Sequence, residues 1–425
     1  MNNTLKLKEC CTIIAGQSPE SKYYNSKGEG LPFFQGKADF GALYPNIRIY
    51  CSQPTKIAEK DDILLSVRAP VGPTNLSPGK VCIGRGLTAI RPGSSISLKY
   101  LLYFFRYYEA QLQKSGTGTT FKAITQNVIK NIEVPVPSLD EQERIVFKIE
   151  ELFSKLDASV AELKTAKEKL KVYRQAVLKE AFEGKLSEKW RNTNDNSPYN
   201  DLLSIYRKDQ YFKDTSGDEN EVELELPTTW IKIRIGEVFD VEVGATPKRS
   251  VSEYWNGDIN WVSSGEVQFN TISQTKEKIT KDGLAHSSTN LHPAGTVMLA
   301  MIGEGKTRGQ AAILNVAAAH NQNTAAILVA KTPCDSKYLY YFLLLNYENT
   351  RRIGSGNNQK ALNKERVRAI HFPFTSFKEQ KIIVEEIENR LSVCDSIEQT
   401  IDTSLQQAEA LRQSILKQAF EGRLL

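Results

Sequence analysis

Histidine is scarce: the chain has four in 425 residues, at positions 286, 292, 320 and 371. They show neither an H-E-x-x-H motif nor another paired-ligand spacing, which argues against a metal centre. There is no G-x-S-x-G elbow for a nucleophilic serine, and no glycine-rich dinucleotide fingerprint follows a strand-like run. The Asn-Pro-Pro-aromatic motif that an adenine methyltransferase needs to hold a flipped base is also missing. The six cysteines (10, 11, 51, 82, 334 and 394) contain no C-x-x-C spacing, which fits reduced thiols. Cys10 and Cys11 read as two core positions rather than a redox pair. No apolar run approaches the ~20 residues that span a bilayer, and the opening Met1-Asn-Asn-Thr-Leu-Lys has no apolar h-region. A cytoplasmic binding protein is expected, with no catalytic set, metal or cofactor of its own.

Hydrophobic and charged fractions are ordinary for a soluble globular protein, and the length allows two to four domains. The net charge of +5 is unevenly placed: residues 1–134 carry +8 and 228–371 carry +5, whereas 187–227 carry −5. Positive charge thus collects in two segments, as expected where a polyanion docks.

The chain also repeats itself. Glu180-Ala-Phe-Glu-Gly-Lys-Leu186 returns as Gln418-Ala-Phe-Glu-Gly-Arg-Leu424, Arg174-Gln175 as Arg412-Gln413, Asp157 as Asp395, Glu141-Gln142 as Glu379-Gln380, and Pro135 as Pro373. Every pair is 238 positions apart, so one half-unit is used twice without a gap between these copies.

Each half opens with an α/β segment. In the first, Phe33–Lys37, Asp62–Val67 and Thr88–Ile90 read as strands bounded by Gly and Pro turns. Lys99–Tyr108 has helical apolar spacing; a loop (116–120), a short helix over Ile124–Ile129 and an extended Glu133–Pro137 follow. Tyr100, Tyr103, Tyr338 and Tyr341 fall at helical spacing and read as core. In the second segment, Trp261–Glu266 and Val297–Ala300 share the outline but not the letters, whereas Lys337–Phe342 answers Lys99–Phe104 and Gly354–Gly356 answers Gly116–Gly118. One fold has been kept while its reading surface changed.

Ser138-Leu-Asp-Glu141 and Ser376-Phe-Lys-Glu379 are capping boxes. From each, a helix of about 43 residues, roughly 65 Å long, is expected. Ile145, Ile149, Leu152, Leu156, Leu163, Leu170 and Val177 form one apolar seam. Ile383, Ile387, Cys394, Ile397, Ile401, Leu411 and Ile415 form the other. So narrow a stripe is a coiled-coil signature; the alternative is that each helix packs only on its own globular segment. Gly184 and Gly422 stand where the helices should stop. Segment 187–227 is polar and acidic, a linker with one helix around Tyr199–Tyr211. Antiparallel pairing lets this linker span little distance, where a parallel pair would send it back over the helix length at greater entropic cost. The expected fold is two α/β (α+β) globular domains joined by two long helices in an antiparallel coiled coil, a pseudo-two-fold internal repeat. Two different heads on a duplex imply two half-sites around an uncontacted spacer.

Ala300–Thr307 fits a relaxed phosphate-loop pattern, A-x-x-x-x-G-K-T, but a true one needs a helix starting at the Lys. The following Arg308-Gly-Gln-Ala-Ala-Ile-Leu reads as a strand, which favours a basic loop contacting DNA.

With the repeat, caps and heads in view, the chain resembles a specificity subunit of a type I restriction–modification enzyme, of the kind with tandem target-recognition domains. The carrying residues are Pro135–Gln142, Arg174–Leu178 with Ala181–Leu186, Leu226-Pro-Thr-Thr-Trp230 with Tyr254–Val262, and Gly16–Pro19 with Leu31–Lys37. The first half lacks the Leu-Pro-x-x-Trp opening. The resemblance implies target-recognition domains at 1–137 and 228–375, helices at 138–186 and 376–425, and a linker at 187–227. It implies double-stranded DNA as ligand, two modification subunits that bind S-adenosylmethionine and methylate adenine N6, and two restriction/motor subunits that use ATP and Mg²⁺. Arg suits guanine, and Gln or Asn suits adenine, in the major groove. Candidate DNA-contacting residues are therefore Gln35, Lys37, Arg68, Arg85 and Lys122 in the first head. In the second they are Lys306, Arg308, Gln310, Asn323, Asn358, Gln359 and Lys360. For each, a solvated surface position or a phosphate contact is the alternative. A phosphate-loop ATPase with a coiled coil, and a coiled-coil scaffold binding only protein, are the competing functions.

Overall fold

The computed structural model describes residues 4–115, 123–194, 223–303, 305–330, 332–352 and 362–425. Lys122, Asn358, Gln359, Lys360, the 116–120 loop, Gly354–Gly356 and the helix expected around Tyr199–Tyr211 lie outside the described residues. The chain divides into two compact units, one of residues 1–166 with 400–425 and the other of residues 167–399.

The first unit is built on a four-stranded antiparallel sheet in the order Cys11–Ala15, Leu87–Pro92, Ile63–Ser66, Thr74–Leu76. All four residues of Ile63–Ser66 are buried, which explains why this central strand reads as a continuous apolar run rather than an alternating one. A second sheet holds Leu31–Phe34 parallel to Val81–Ile83. Helix Leu98–Ser115 covers the core with Tyr100, Leu101, Phe104, Phe105 and Leu112. Against it pack Ile145, Val146, Ile149 and Phe153 of the first long helix, and Ile415, Leu416, Ala419 and Phe420 of the second.

The second unit repeats this plan. Its main sheet runs Asp240–Val243, Thr324–Leu328, Val297–Ala300, Ala311–Leu314, Asn270–Ile272, and its smaller sheet sets Ala318–His320 parallel to Trp255–Val262. Helix Ser336–Leu345 packs with Leu178, Ala181 and Phe182 of the first long helix and Ile383, Val384 and Ile387 of the second. The repeated Ala-Phe-Glu-Gly sequence is thereby explained. In each unit its Phe sits among the aromatic residues of the head helix: Phe420 lies 5.1 Å from Tyr100 and 5.5 Å from Phe104, and Phe182 lies 5.0 Å from Tyr338 and 5.5 Å from Phe342.

The long helices span Leu139–Phe182 and Phe377–Phe420, 44 residues each. Within each unit they run antiparallel. In the first, Arg412 bonds Asp157; in the second, Arg174 bonds Asp395 at 2.7 Å and Glu398 at 3.0 Å, and Arg390 approaches Glu180. The Arg412–Asp157 and Arg174–Asp395 pairs exchange under the repeat. Both helices bury a strict heptad, Ile149, Leu156, Leu163, Leu170, Val177 and Ile387, Cys394, Ile401, Ala408, Ile415, at least in part. Two expected seam residues are corrected: Ile397 is 44% and Leu411 50% exposed. The helix turns inward four, not three, residues beyond Cys394 and Ala408, at Glu398 and Arg412. Those charged positions enter the seam because the facing helix supplies Arg174 to one and Asp157 to the other. Each helix ends in a glycine in the left-handed region, Gly184 at φ 70° and Gly422 at φ 72°. Lys185 N–H donates to the Glu180 carbonyl and Arg423 N–H to that of Gln418, as in a Schellman stop.

The caps form in part. Ser376 Oγ accepts from Glu379 N at 3.0 Å and Ser138 Oγ from Glu141 N at 3.4 Å. The Glu379 carboxylate, however, turns inward, accepting from Trp230 Nε1 at 3.0 Å, Arg191 Nη1 at 2.7 Å and Ser187 Oγ at 2.7 Å. It is 1% exposed. The neighbouring glutamine is also structural. Gln142 Oε1 accepts from Ser97 N, and its amide donates to the Ser95 and Pro137 carbonyls; Gln380 does the same with Asp335 N, Pro333 and Thr375. Both are fully buried, so these bonds remove a desolvation cost of about 1–3 kcal/mol for each group left unmet.

Candidate nucleic-acid interface

In the first unit, three loops leave the sheets on one side. Residues 35–39 follow strand Leu31–Phe34, residues 84–86 follow Val81–Ile83, and residues 67–73 follow Ile63–Ser66. Backbone bonds knit them together: Gly84 N–H donates to Phe34 O, and Val67 N–H to Gly86 O. They line a cleft of about 790 Å³ that includes Ser18, Gln35, Lys37, Asp39, Arg48, Arg68 and Arg85. Four of the five expected residues of this head are thus brought to one cavity, and Gln35, Lys37, Arg68 and Arg85 are all exposed. The cleft has four cations and one carboxylate. That carboxylate, Asp39, is engaged in shaping the loop, accepting from Gln35 N at 2.7 Å and from Arg48 Nη2 at 2.9 Å. Arg48, Asp39 and Ser18 were not anticipated; the acid four residues after Gln35, placed to bond the turn's amides, was the available signal.

The second unit builds the same three loops: 263–266 after Trp255–Val262, 321–323 after Ala318–His320, and 301–303 with 305–310 after Val297–Ala300. The matching bonds run from Asn321 N–H to Val262 O and from Met301 N–H to Asn323 O. Glu266 takes the part of Asp39, accepting from Ser263 N at 2.9 Å. Lys306, Gln310 and Asn323 lie on these loops, Lys306 exposed and the others half-buried. Arg308 is on the same loop but only 7% exposed, and its guanidinium donates to the Arg351 carbonyl. Burial, and then the neighbouring Arg351, hold its pKa below the usual arginine value. In this conformation it braces the loop. Ser263, Ser264 and Gln322 are further residues of this surface that sequence reasoning missed. The phosphate-loop pattern does not fold as one: residues 305–309 form turns and strand Ala311–Leu314 follows, with no helix to aim amides at a phosphate.

Beneath the 321–323 loop lies a buried imidazole pair, His292 Nε2 and His320 Nε2 at 3.1 Å, with His320 Nδ1 2.8 Å from Thr324 Oγ1. Burial, then His292, pushes His320 down to about 3; burial also lowers His292. Both are neutral at physiological pH. Among the described residues no group of three or more His, Cys, Asp or Glu could hold a metal ion, and no helix is long and apolar enough to cross a membrane. All six cysteines are free thiols.

Two heads with one frame and different exposed loops are matched by a family model, the type I restriction modification DNA specificity domain, over residues 2–171 and 227–407. The chain belongs to this family. Among specificity subunits, it is 45% identical over 138 residues to the putative type I restriction enzyme MjaX specificity subunit of Methanocaldococcus jannaschii, a match covering 32% of each chain. It is 24% identical over 340 residues to the EcoDI specificity subunit of Escherichia coli, covering 77% of this chain and 70% of that one. The fold is that of a solved chain from a study of type I R-M complex assembly and conformational transition. That chain has a TM-score of 0.72 and 17% identity, with 99% of this chain and 98% of that one covered. It is also that of the HsdS subunit of Thermoanaerobacter tengcongensis, with a TM-score of 0.57, 18% identity, and 99% and 97% covered. The chain is a specificity subunit with tandem target-recognition domains.

Proposed function

We propose that the two heads read the two halves of a bipartite, interrupted DNA site, and that the paired long helices set the spacer between them. The observation that carries this reading is the pair of equivalent loop sets: the frame is the same, but one carries the exposed Gln35, Lys37, Arg68 and Arg85 and the other the exposed Lys306 and Gln322 with the half-buried Ser263 and Asn323. Side chains of this kind on base edges give sequence choice, while Lys and Arg on phosphates give affinity. The domain division proposed is 1–137 and 228–375 for the heads, 138–186 and 376–425 for the helices, and 187–227 for the linker.

The polypeptide itself catalyses nothing. It brings DNA to two modification subunits, which bind S-adenosylmethionine, and to two restriction/motor subunits, which use ATP and Mg²⁺, in a cytoplasmic complex. Mapping methylated adenines in cells that express the chain with its modification subunit yields the site. Inserting one heptad within Leu156–Leu170 alone then lengthens the preferred spacer or abolishes assembly. An intact complex with an unchanged spacer contradicts the ruler role.

A further inference from the structure

Beside the cleft of the first head, residues 40–49 form a loop whose side chains contradict its setting. Leu43, Tyr44, Ile47 and Ile49 are 38%, 45%, 47% and 37% exposed, four large apolar groups within seven residues. The backbone beneath them is fixed. Asn75, 1% exposed, accepts from Gly41 N at 3.0 Å and donates to Gly41 O at 3.1 Å. Leu76 N–H donates to Leu43 O, Asn46 N–H to Asp39 O, and Phe33 N–H to Ile49 O. A clustered apolar surface held in a fixed shape marks a contact site rather than a solvated loop.

Charge and continuity identify the occupant. Arg48 and Ile49 belong both to this loop and to the cleft lining, alongside Lys37, Arg68 and Arg85. A ligand in the cleft therefore touches the loop, and it must present anionic rows on either side of an apolar interior. Duplex DNA does so, with phosphates flanking stacked bases. We propose that the 40–49 loop is an apolar wedge that enters a groove and partly unstacks a base step in the first half-site. Inserted Leu, Ile and similar side chains act this way in proteins that kink DNA. The inference rests on the reading that this head binds DNA and goes beyond it, because it makes part of the recognition depend on deformability rather than on base edges.

The test uses the full chain with its modification subunits and a duplex carrying the mapped methylation site. Binding is followed across salt concentrations, and permanganate oxidation reports thymines that have lost a stacking neighbour, leaving out those opposite the methylated adenines, which flipping of the adenine exposes by itself. The parent complex should make thymines reactive in the first half-site. Leu43→Ser with Ile47→Ser should weaken binding about tenfold at every salt concentration, leave the salt slope unchanged and remove that reactivity. Arg68→Ala should instead lower the slope by about one phosphate contact and keep the reactivity. Tyr44→Ser repeats the test with one side chain should the double variant lose its thermal midpoint. Parent-like binding and reactivity in the serine variants overturns the wedge. So does loss of the modification subunit with DNA binding intact, which would make the loop a protein contact. A parent complex that binds no duplex at all removes the functional reading as well.

Discussion

The buried carboxylate of Glu379 offers a measurement with an internal control. Its side chain is 2% exposed and that of its partner Arg191 10%, so solvent screens the pair little. Glu379→Ala takes a buried carboxylate away from the Arg191 guanidinium, the Trp230 indole N–H and the Ser187 hydroxyl. Removing one partner of a buried ion pair costs about 3–5 kcal/mol because the other charge stays buried. Some relaxation of Arg191, which also donates to the Gly184 carbonyl, puts the expectation at about 3–4 kcal/mol. That corresponds to roughly 6–16 °C in thermal midpoint for a unit of this size. Glu379→Gln, which keeps an acceptor but no charge, should fall between the parent and the alanine variant. Glu141 occupies the same place in the first repeat, yet it is only partly buried, and among the described residues its carboxylate has no such partners. Glu141→Ala should therefore cost no more than ~0.5 kcal/mol. The assay is simple because all four tryptophans (190, 230, 255 and 261) lie in the unit of residues 167–399, so their fluorescence reports that unit during urea unfolding. Glu141 lies in the other unit, which holds no tryptophan, so both variants are also followed by far-UV circular dichroism, and equal losses of stability for Glu379→Ala and Glu141→Ala would refute the reasoning.

The imidazole pair predicts a pH dependence in the same unit. His320 is held near 3 in the folded chain against ~6.5 when unfolded, so the unfolded chain binds a proton that the folded one refuses. Stability is thus fully present above pH ~6.5 and declines as pH falls toward 3, by at most about 2 kcal/mol between pH 6.5 and 5. His320→Asn should flatten the tryptophan-reported urea midpoint between pH 7.5 and 5, and a pH profile identical to the parent's would contradict the assignment. Lys306→Ala and the parent should give the same null result in ATP titrations followed by calorimetry. A Mg-ATP affinity present in the parent and lost in the variant would restore the phosphate-loop reading.

The frame was legible in the sequence because the repeat preserves it. Strand Ile63–Ser66, helix Leu98–Ser115 and the 44-residue helices stand within a few residues of their expected places, except that helix Leu98–Ser115 continues well past Tyr108. Two things were hidden. Apolar periodicity chose Ile397 and Leu411 for the seam because the inward positions carry Glu398 and Arg412, and only the facing helix reveals why charges belong there. The loops of the second head were also obscured. Phe34 and Val262 occupy equivalent places at an offset of 228 rather than 238, so a gapless alignment passes over Ser263–Glu266. The burial of Arg308 depends on Tyr347 and Arg351 from a later helix, which no local pattern announces.

Comparing the two copies explains how the heads can differ while the frame stays. The residues that keep their letters hold buried or paired positions. Tyr100 and Tyr338 donate to the carbonyls of Pro135 and Pro373. Gln142 and Gln380 pin the head helices, and Lys99–Glu150 and Lys337–Glu388 make the same ion pair twice. Changing one of the buried members strands a polar group away from water, at a cost of kilocalories. The residues that differ, such as Arg85 against Gln322, stand on loops whose order comes from main-chain bonds, Gly84 to Phe34 and Asn321 to Val262. Those bonds are indifferent to the side chain above them. Exposed loop positions of this kind usually change stability by no more than ~0.5 kcal/mol. A frame of satisfied buried polar groups carrying backbone-anchored loops therefore separates stability from recognition, and one half-unit can be used twice with two different reading surfaces.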